Sequence, residues 1–280
     1  MSSEPQSKSA PFLLRHSVAA YFLQAFTISW LGALAVAAPP LLRHEPVPKI
    51  TGILMFPAML LGPSLSGIIL TRIVAGKAGL RDLFSKFVRA RIGARWYVVL
   101  LIPPTLILIL LFTLKTFRSP VYTPNFFLMG VLFGVPAGLL EEIGWTGFAF
   151  PRMSSRHNPL GASIFLGLLW GLWHLPVVNY LGTATPHGTS WLPFFLAFTF
   201  AMTAIRVFIC WLYTNTKSVF ITQLMHISST GSLVIFSPPA VSAGQEVIWY
   251  ALYGLALWIV VLMVVKKFGT HLADRVRYKK

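Results

Sequence analysis

The chain has 280 residues, of which 56% are hydrophobic and only 11% are charged, with a mean hydropathy of +0.72. Soluble domains carry about 25% charged residues, so this composition excludes an ordinary soluble domain and predicts an integral membrane protein. The net charge of +16 is spread over the ends of apolar runs, which argues against a nucleic-acid-binding protein.

Eight apolar runs have roughly the 20 residues that a helix needs to cross the hydrocarbon core. They are residues 17–42, 51–71, 96–114, 122–148, 159–182, 190–213, 218–237 and 247–265. The runs are continuously apolar, whereas the strands of a membrane β-barrel alternate over about ten residues. We therefore predict an all-α, polytopic membrane helix bundle of about eight transmembrane helices, forming a single integral membrane domain over residues 1–280. No convincing cleavage pattern follows the first run, which is predicted to be a retained helix.

Lysine and arginine residues are distributed unequally between the two sides of the membrane. The seven between the second and third runs and the six after the last run fall on the same side when there are eight spans, as do Lys8, Arg15, Arg152, Arg156 and Lys217. Only four face the other way: Arg43, Lys49, Lys115 and Arg118. The positive-inside rule therefore predicts that both termini are cytoplasmic, in a plasma membrane such as the bacterial inner membrane.

Residues 74–95 contain apolar side chains at helical spacing among the basic ones: Leu80, Leu83, Phe84 and Phe87. This pattern predicts a helix that lies on the anionic inner leaflet. A solvated loop is the alternative, because the amphipathic character is modest.

The apolar runs contain five ionisable side chains: Glu141, Glu142, His174, Arg206 and His226. Each is expected to cost a few kcal/mol inside a bilayer, which something must offset. The other histidines, His16, His44, His157, His187 and His271, lie in predicted loops or tails, where water can solvate them. The single cysteine, Cys210, lies in an apolar run and is predicted to be a packing residue.

Three of these buried side chains are predicted to meet in one cavity. A rise of about 1.5 Å per residue puts Glu141, His174 and His226 at depths that converge if the loop around Asn158 and Pro159 dips or the fifth helix tilts. A carboxylate and two imidazoles can polarise a water, by general-base action or through a metal held between them. Near His174, Pro176 lacks an N–H, so the Leu172 carbonyl is predicted to lose its helical partner.

Three segments carry this pattern: EEIGWTGFAFP from Glu141, LLWGLWHLP from Leu168 and CWLYTNTKSVFITQLMHISST from Cys210. In order and spacing they resemble the motifs of the CPBP intramembrane proteases, the family of the CAAX prenyl endopeptidases and of bacterial relatives (Abi family). The matching residues are Glu141, Glu142, Trp145, Thr146, Gly147 and Phe148, then Trp170 and His174, then His226 and Thr230. The resemblance covers about 100 residues, within a family-like core at about 122–237.

The resemblance implies a catalytic role for Glu141, Glu142, His174, His226 and Thr230. Glu141 would activate a water that His174 positions, His226 and Thr230 would stabilise an oxyanion, and Glu142 would orient its neighbours. Two positions depart from the family pattern, which has arginine at Thr146 and asparagine at Thr230. Arg206, at a depth similar to that of Glu142, is predicted to supply the missing cation. Because no HExxH pattern is present, a zinc ion held by Glu141, His174 and His226 is left open.

Three functions compete at this point. The favoured one is an intramembrane endopeptidase that hydrolyses a peptide or protein segment presented near the cytoplasmic side of the lipid bilayer, with no nucleic-acid partner. The second is a proton-coupled transporter in which Glu141 and Glu142 titrate, although repeated halves are not evident in the sequence. The third is an inactive family member that binds a partner in the membrane or confers immunity, as the changes at Thr146 and Thr230 allow.

Overall fold

The structure is a computed structural model that describes residues 15–273. Within that range the chain forms a bundle of eight apolar helices without strands. In chain order they are α1 (Ser17–Leu42), α2 (Lys49–Phe87), α3 (Arg95–Phe117), α4 (Leu128–Ser154), α5 (Pro159–Trp173), α6 (Gly188–Thr216), α7 (Val219–Phe236) and α8 (Ala243–Phe268). Seven are long and apolar enough to cross a membrane, and α5 is shorter. The predicted polytopic helical bundle is confirmed.

The second helix extends well past its predicted end. It continues to Phe87 with a break at Gly76, whose φ of 64° lies in the left-handed region that glycine adopts readily. The following amphipathic residues are helical, so the alternative of a solvated loop is wrong for this part of residues 74–95. Leu83 is buried against Gly147 of α4, whereas Phe84 is exposed. Contact of this segment with lipid remains a prediction.

The fifth helix ends at Trp173, nine residues before its predicted boundary at residue 182. Pro176 explains the early end, because it has no N–H to continue the helix and restricts the residue before it. The Leu172 carbonyl keeps a partner all the same, since it accepts the N–H of Leu175 at 3.0 Å in a tighter turn. The predicted loss of the helical i+4 partner is therefore confirmed, and the N–H of Leu175 takes its place.

Close packing of α4 against α7 sets the geometry of the polar residues. A side chain at Gly134 or Gly138 would collide with the backbone of α7 around Ile227 and Gly231. The absence of side chains at these two positions lets the helices approach at van der Waals distance. As a result, Glu141 and Glu142, one turn further along α4, lie next to His226 on α7.

The sixth helix is the most buried span of the bundle. Both Arg206 and Cys210 on this helix are completely buried. Burial of Cys210 among apolar neighbours confirms that it is a packing residue. Arg206 needs a buried partner, because an uncompensated charge at this depth is strongly unfavourable.

Basic residues that lie outside the described range are Lys8, Arg275, Arg277, Lys279 and Lys280. Their predicted place on the cytoplasmic side is therefore not addressed by the structure. Most basic residues within residues 15–273 lie at helix ends or in connections, whereas Arg206 lies inside α6 and Arg72, Lys77 and Arg81 lie within the second half of α2.

Candidate active site

A cavity of about 400 Å³ lies inside the bundle. Five of its lining residues belong to the sequence motifs: Glu141, Trp170, His174, His226 and Thr230. They come from the middle of α4 and α7 and from the C-terminal end of the short α5. The prediction that separate helices bring Glu141, His174 and His226 to one cavity is confirmed.

A wider groove of about 660 Å³ lies along α1 and is lined almost entirely by apolar side chains. It contains no carboxylate, histidine or basic residue, and the exposed side chains of α1 around it belong to the outer surface of the bundle. We assign no chemistry to this groove, because no acid, base or nucleophile lines it apart from the hydroxyls of Thr27 and Tyr180.

Glu141 holds its two carboxylate oxygens in different surroundings. Oε2 accepts the indole N–H of Trp170 at 2.7 Å and that of Trp145 at 3.1 Å. Oε1 is buried without a hydrogen-bond partner among the described residues and lies 3.9 Å from Nε2 of His226. The carboxylate is thus fixed through one oxygen and has the other available for chemistry.

The backbone of α4 widens directly after this residue pair. Trp145–Ala149 forms a π-helical turn, an irregularity that is frequent at functional sites. Trp145 at its start reaches back one turn to Glu141, as its i,i+4 spacing predicts.

Glu142, in contrast, has both oxygens fully engaged. Nη1 of Arg206 donates to Oε1 at 2.9 Å and to Oε2 at 3.0 Å, Nδ1 of His226 donates to Oε1 at 2.8 Å, and Thr146 donates its hydroxyl to Oε2. The prediction that Arg206 is the partner of Glu142 is confirmed. Thr146, at the position of the family's arginine, contacts the same carboxylate as a neutral donor.

The two histidines are oriented by acceptors at their Nδ1 atoms. Nδ1 of His174 lies 2.8 Å from the carbonyl oxygen of Trp170, and Nδ1 of His226 lies 2.8 Å from the Glu142 carboxylate. Both partners accept only, so each Nδ1 carries a proton and a neutral ring has its lone pair on Nε2. Trp170 contacts both imidazole rings edge-on, with centroid distances of 5.5 Å and 5.1 Å.

Arg206 is held by stacking as well as by charge. Its guanidinium carbon lies 4.2 Å from the ring centroid of Trp170, a distance typical of cation–π contacts. Trp170 therefore contacts the cation with its face and Glu141 with its N–H. Trp170 thus contacts Glu141 directly and Glu142 through Arg206.

Sequence reasoning missed a second buried pair, Glu246 and His187. Both side chains are fully buried, and Nε2 of His187 lies 3.2 Å from Glu246 Oε2. The backbone N–H groups of Thr183 and Ala184 also donate to Glu246, at 2.8 and 2.9 Å. The prediction that water solvates His187 is wrong, because the connection between α5 and α6 folds back onto the start of α8. Glu246 lies one residue before the predicted span 247–265, so it was not counted among the ionisable side chains inside apolar runs.

The described residues contain no group of three or more His, Cys, Asp and Glu side chains placed to hold a metal ion. Tetrahedral zinc with bonds of about 2.0–2.2 Å needs its ligand atoms closer together than the 3.9 Å that separates Glu141 Oε1 from His226 Nε2. The side chains as they stand do not form the zinc shell considered from the sequence. A requirement for zinc remains an untested prediction.

The mouth of the cavity is formed by the ends and connections of helices. Besides the motif residues, the cavity is lined by Lys49 at the start of α2, Asn125 before α4, Thr183 between α5 and α6, and Ser237 after α7. All four lie at the end of the bundle opposite the basic helix ends. The presentation of a substrate near the cytoplasmic side remains a prediction, because the structure contains no membrane.

The fold and the cavity define a polytopic helical membrane protein with a buried cluster of two glutamates, two histidines and an arginine. Residues 123–232 match the family model described as type II CAAX prenyl endopeptidase Rce1-like. The chain is also 31% identical over 94 residues to the CAAX prenyl protease 2 of Methanococcus maripaludis, covering 32% of this chain and 34% of that protein. The aligned part thus spans about a third of the relative's length.

The two matches cover less than half of this chain, and both are described as CAAX prenyl proteases. The matched range falls within the segment whose motifs carry the resemblance. The matches confirm the resemblance to the CPBP and CAAX proteases and do not favour the proton-coupled transporter.

Proposed function

We propose that the protein is an intramembrane endopeptidase that hydrolyses a peptide bond with a water activated by Glu141. The observation that carries this proposal is the unequal environment of the Glu141 carboxylate. Two indole N–H groups fix Oε2, while Oε1 lies beside His226 on the wall of the cavity without a partner among the described residues. A base fixed in this way needs little reorganisation when it takes a proton.

In the proposed reaction, the attacking water donates one hydrogen to Glu141 Oε1 and the other to Nε2 of His174. Transfer of the first proton to Oε1 accompanies formation of the bond between the water oxygen and the peptide carbonyl carbon. When this intermediate collapses, the C–N bond breaks and Glu141 returns the proton to the leaving amine. The products are a carboxylic acid and an amine, and Glu141 is regenerated.

The oxyanion needs hydrogen-bond donors among the residues that line the cavity. Thr230 lies one helical turn beyond His226 on α7 and lines the same cavity, so its hydroxyl is one donor. His226 is the other when its Nε2 carries a proton, and this nitrogen lies 3.9 Å from Glu141 Oε1. Each aligned donor contributes about 3 kcal/mol to such an intermediate.

Glu142, Arg206 and Thr146 act through His226 in this scheme. The carboxylate of Glu142 fixes the Nδ1 proton of His226, and Arg206 balances the buried negative charge. The cation that the family pattern places at position 146 comes here from α6. For this reason we propose that the change at Thr146 is compatible with activity.

The relative is named a CAAX prenyl protease, a name that describes an enzyme acting on proteins. We propose a peptide or protein segment at the membrane as substrate, and both termini in the cytoplasm of a bacterial cell. The charge distribution supports that orientation. The proposed reaction uses no metal step.

Cleavage of a peptide library by the detergent-purified full chain tests this function. We expect cleaved products from the wild-type protein and none from Glu141→Gln, which keeps the shape and the acceptor oxygen of the side chain. Wild-type protein that cleaves no peptide, or a Glu141→Gln variant that cleaves as fast as wild type, would contradict the proposal.

A further inference from the structure

The cavity and the basic residues lie at opposite ends of the bundle. Because consecutive helices cross in opposite directions, the start of α2 and the connections 118–127, 174–187 and 237–242 share one end, which we call the rim end. The connections 88–94, 155–158 and 217–218 share the other, which we call the basic end. The cavity residues Lys49, Asn125, Thr183, Ser237 and Pro239 all belong to the rim end.

The charge difference between the two ends is large. Thirteen described basic residues lie at or near the basic end: Arg15, Arg72, Lys77, Arg81, Lys86, Arg89, Arg91, Arg95, Arg152, Arg156, Lys217, Lys266 and Lys267. Four lie at or near the rim end: Arg43, Lys49, Lys115 and Arg118. Lysine and arginine are strongly enriched in the cytoplasmic connections of membrane proteins. The basic end therefore faces the cytoplasm.

Packed aromatic side chains fill the bundle between Glu141 and the basic end. Along α4, Trp145, Phe148 and Phe150 follow Glu141 in that direction, and each is at most 1% exposed. Leu83 from the second half of α2 closes the same region and is 2% exposed. A peptide approaching from the basic end would have to displace this core.

We infer that the cavity opens on the side of the membrane opposite the cytoplasm and takes its peptide from there. That a peptide is the occupant rests on the proposed function, whereas the side on which the cavity opens does not. The substrates are then exported or membrane-inserted proteins with a segment exposed on the outer face.

The lining of the cavity indicates the chemistry of that segment. Phe56, Phe127, Phe133, Phe198 and Leu233 form an apolar wall in the same cavity that Glu141 lines. An extended apolar stretch fits this wall, because its side chains bury apolar surface while its backbone reaches the base.

Labelling of single cysteines in intact cells tests the direction of opening. In a Cys210→Ala background, cysteines replace Asn125 or Ser237 at the rim end and Ser85 or Ser155 at the basic end. We expect a membrane-impermeant maleimide to label the first pair in intact cells and the second pair only after permeabilisation. Labelling of the basic-end pair alone in intact cells would overturn the inference.

A pair of reporters separates this inference from the proposed function. A peptide that the purified protein cleaves is fused to one exported and one cytoplasmic reporter, each with Glu141→Gln cells as control. Cleavage of the exported copy alone is expected, and cleavage of the cytoplasmic copy alone would overturn the inference. A chain that labels as expected but cleaves no peptide would leave the direction of the cavity established and refute only the peptidase proposal.

Discussion

Arg206 on α6 binds the carboxylate of Glu142 on α4 through one nitrogen shared between both carboxylate oxygens, although the two residues are 64 positions apart. This ion pair is completely buried and also fixes His226, which donates to the same carboxylate. Removing one partner of a buried pair leaves an uncompensated charge, which costs about 3–5 kcal/mol. The pair therefore connects the stability of the bundle to the orientation of a proposed catalytic side chain.

A swap between positions 146 and 206 tests whether the cation can be relocated. Arg206→Thr alone is expected to lower stability by about 3–5 kcal/mol, because Glu142 loses its counter-charge. Thr146→Arg alone adds a second buried cation and is expected to destabilise as well. The double variant places an arginine one turn from Glu142 and should recover most of the loss.

Thermal unfolding in detergent measures the stability of these three variants, and peptide cleavage measures their function. A double variant that is as unstable as the sum of the two single ones would show that the two positions do not share one carboxylate. Recovery of stability without recovery of cleavage would show that Arg206 has a role beyond balancing charge.

Exchange of each glutamate for glutamine is expected to separate the two members of the pair. Glu141→Gln keeps an oxygen that can accept the indole N–H groups, so stability should change by no more than about 1 kcal/mol. Glu142→Gln leaves Arg206 buried without a counter-charge, so it should destabilise by about 3–5 kcal/mol. The unfolding temperatures of the two variants, measured side by side, show whether their stabilities differ. Equal losses would contradict the different surroundings described for the two carboxylates.

Much of this arrangement is predictable from the sequence, because charge inside an apolar run is costly. The number and order of the spans follow from hydropathy, and the cost of burying Glu141, Glu142 and Arg206 predicts that they find partners. Hydropathy does not show where a helix stops inside a run, so the end of α5 depended on the effect of Pro176. It also says nothing about which end of the bundle is open.

The contact between Glu246 and His187 was not predictable for a different reason. Each residue lies just outside an apolar run, where solvation is the simplest expectation. Only the folding of the α5–α6 connection onto α8 buries them together. A tertiary contact of this kind has no local signal in the sequence.

Glu246 is expected to hold the rim of the cavity in place. Glu246→Ala removes the acceptor of the Thr183 and Ala184 N–H groups and of His187, and leaves these donors buried, so we expect a loss of about 3 kcal/mol. Glu45→Ala is the matched control, because it removes a carboxylate from an exposed pair with Arg43 and should cost less than about 1 kcal/mol.

Limited proteolysis and thermal unfolding read out both variants. Faster cutting at residues 181–187 in Glu246→Ala, with no change in Glu45→Ala, would support the role of Glu246. Equal cutting of the two variants would argue that the rim is held by its other contacts.

Treatment with a chelator tests whether the protein needs a zinc ion, which the sequence left open. The proposed reaction uses Glu141 as the base without a metal step, so EDTA or 1,10-phenanthroline should leave the rate of peptide cleavage unchanged. The expected result holds for purified protein dialysed against chelator and assayed without added metal. Loss of activity that zinc restores would show that His174, His226 and Glu141 move together to bind an ion.

Thr230 is expected to contribute to the reaction and little to the fold. Thr230→Val keeps the shape of the side chain but removes the hydroxyl, so kcat should fall by about 100-fold with a much smaller change in KM. Thr230→Asn restores a donor with a longer reach and should retain activity. Thr113→Val on the exposed surface of α3 is the control, because its hydroxyl donates only to the Ile109 carbonyl of its own helix. If Thr230→Val raised KM and left kcat unchanged, the hydroxyl would bind the substrate without stabilising the oxyanion.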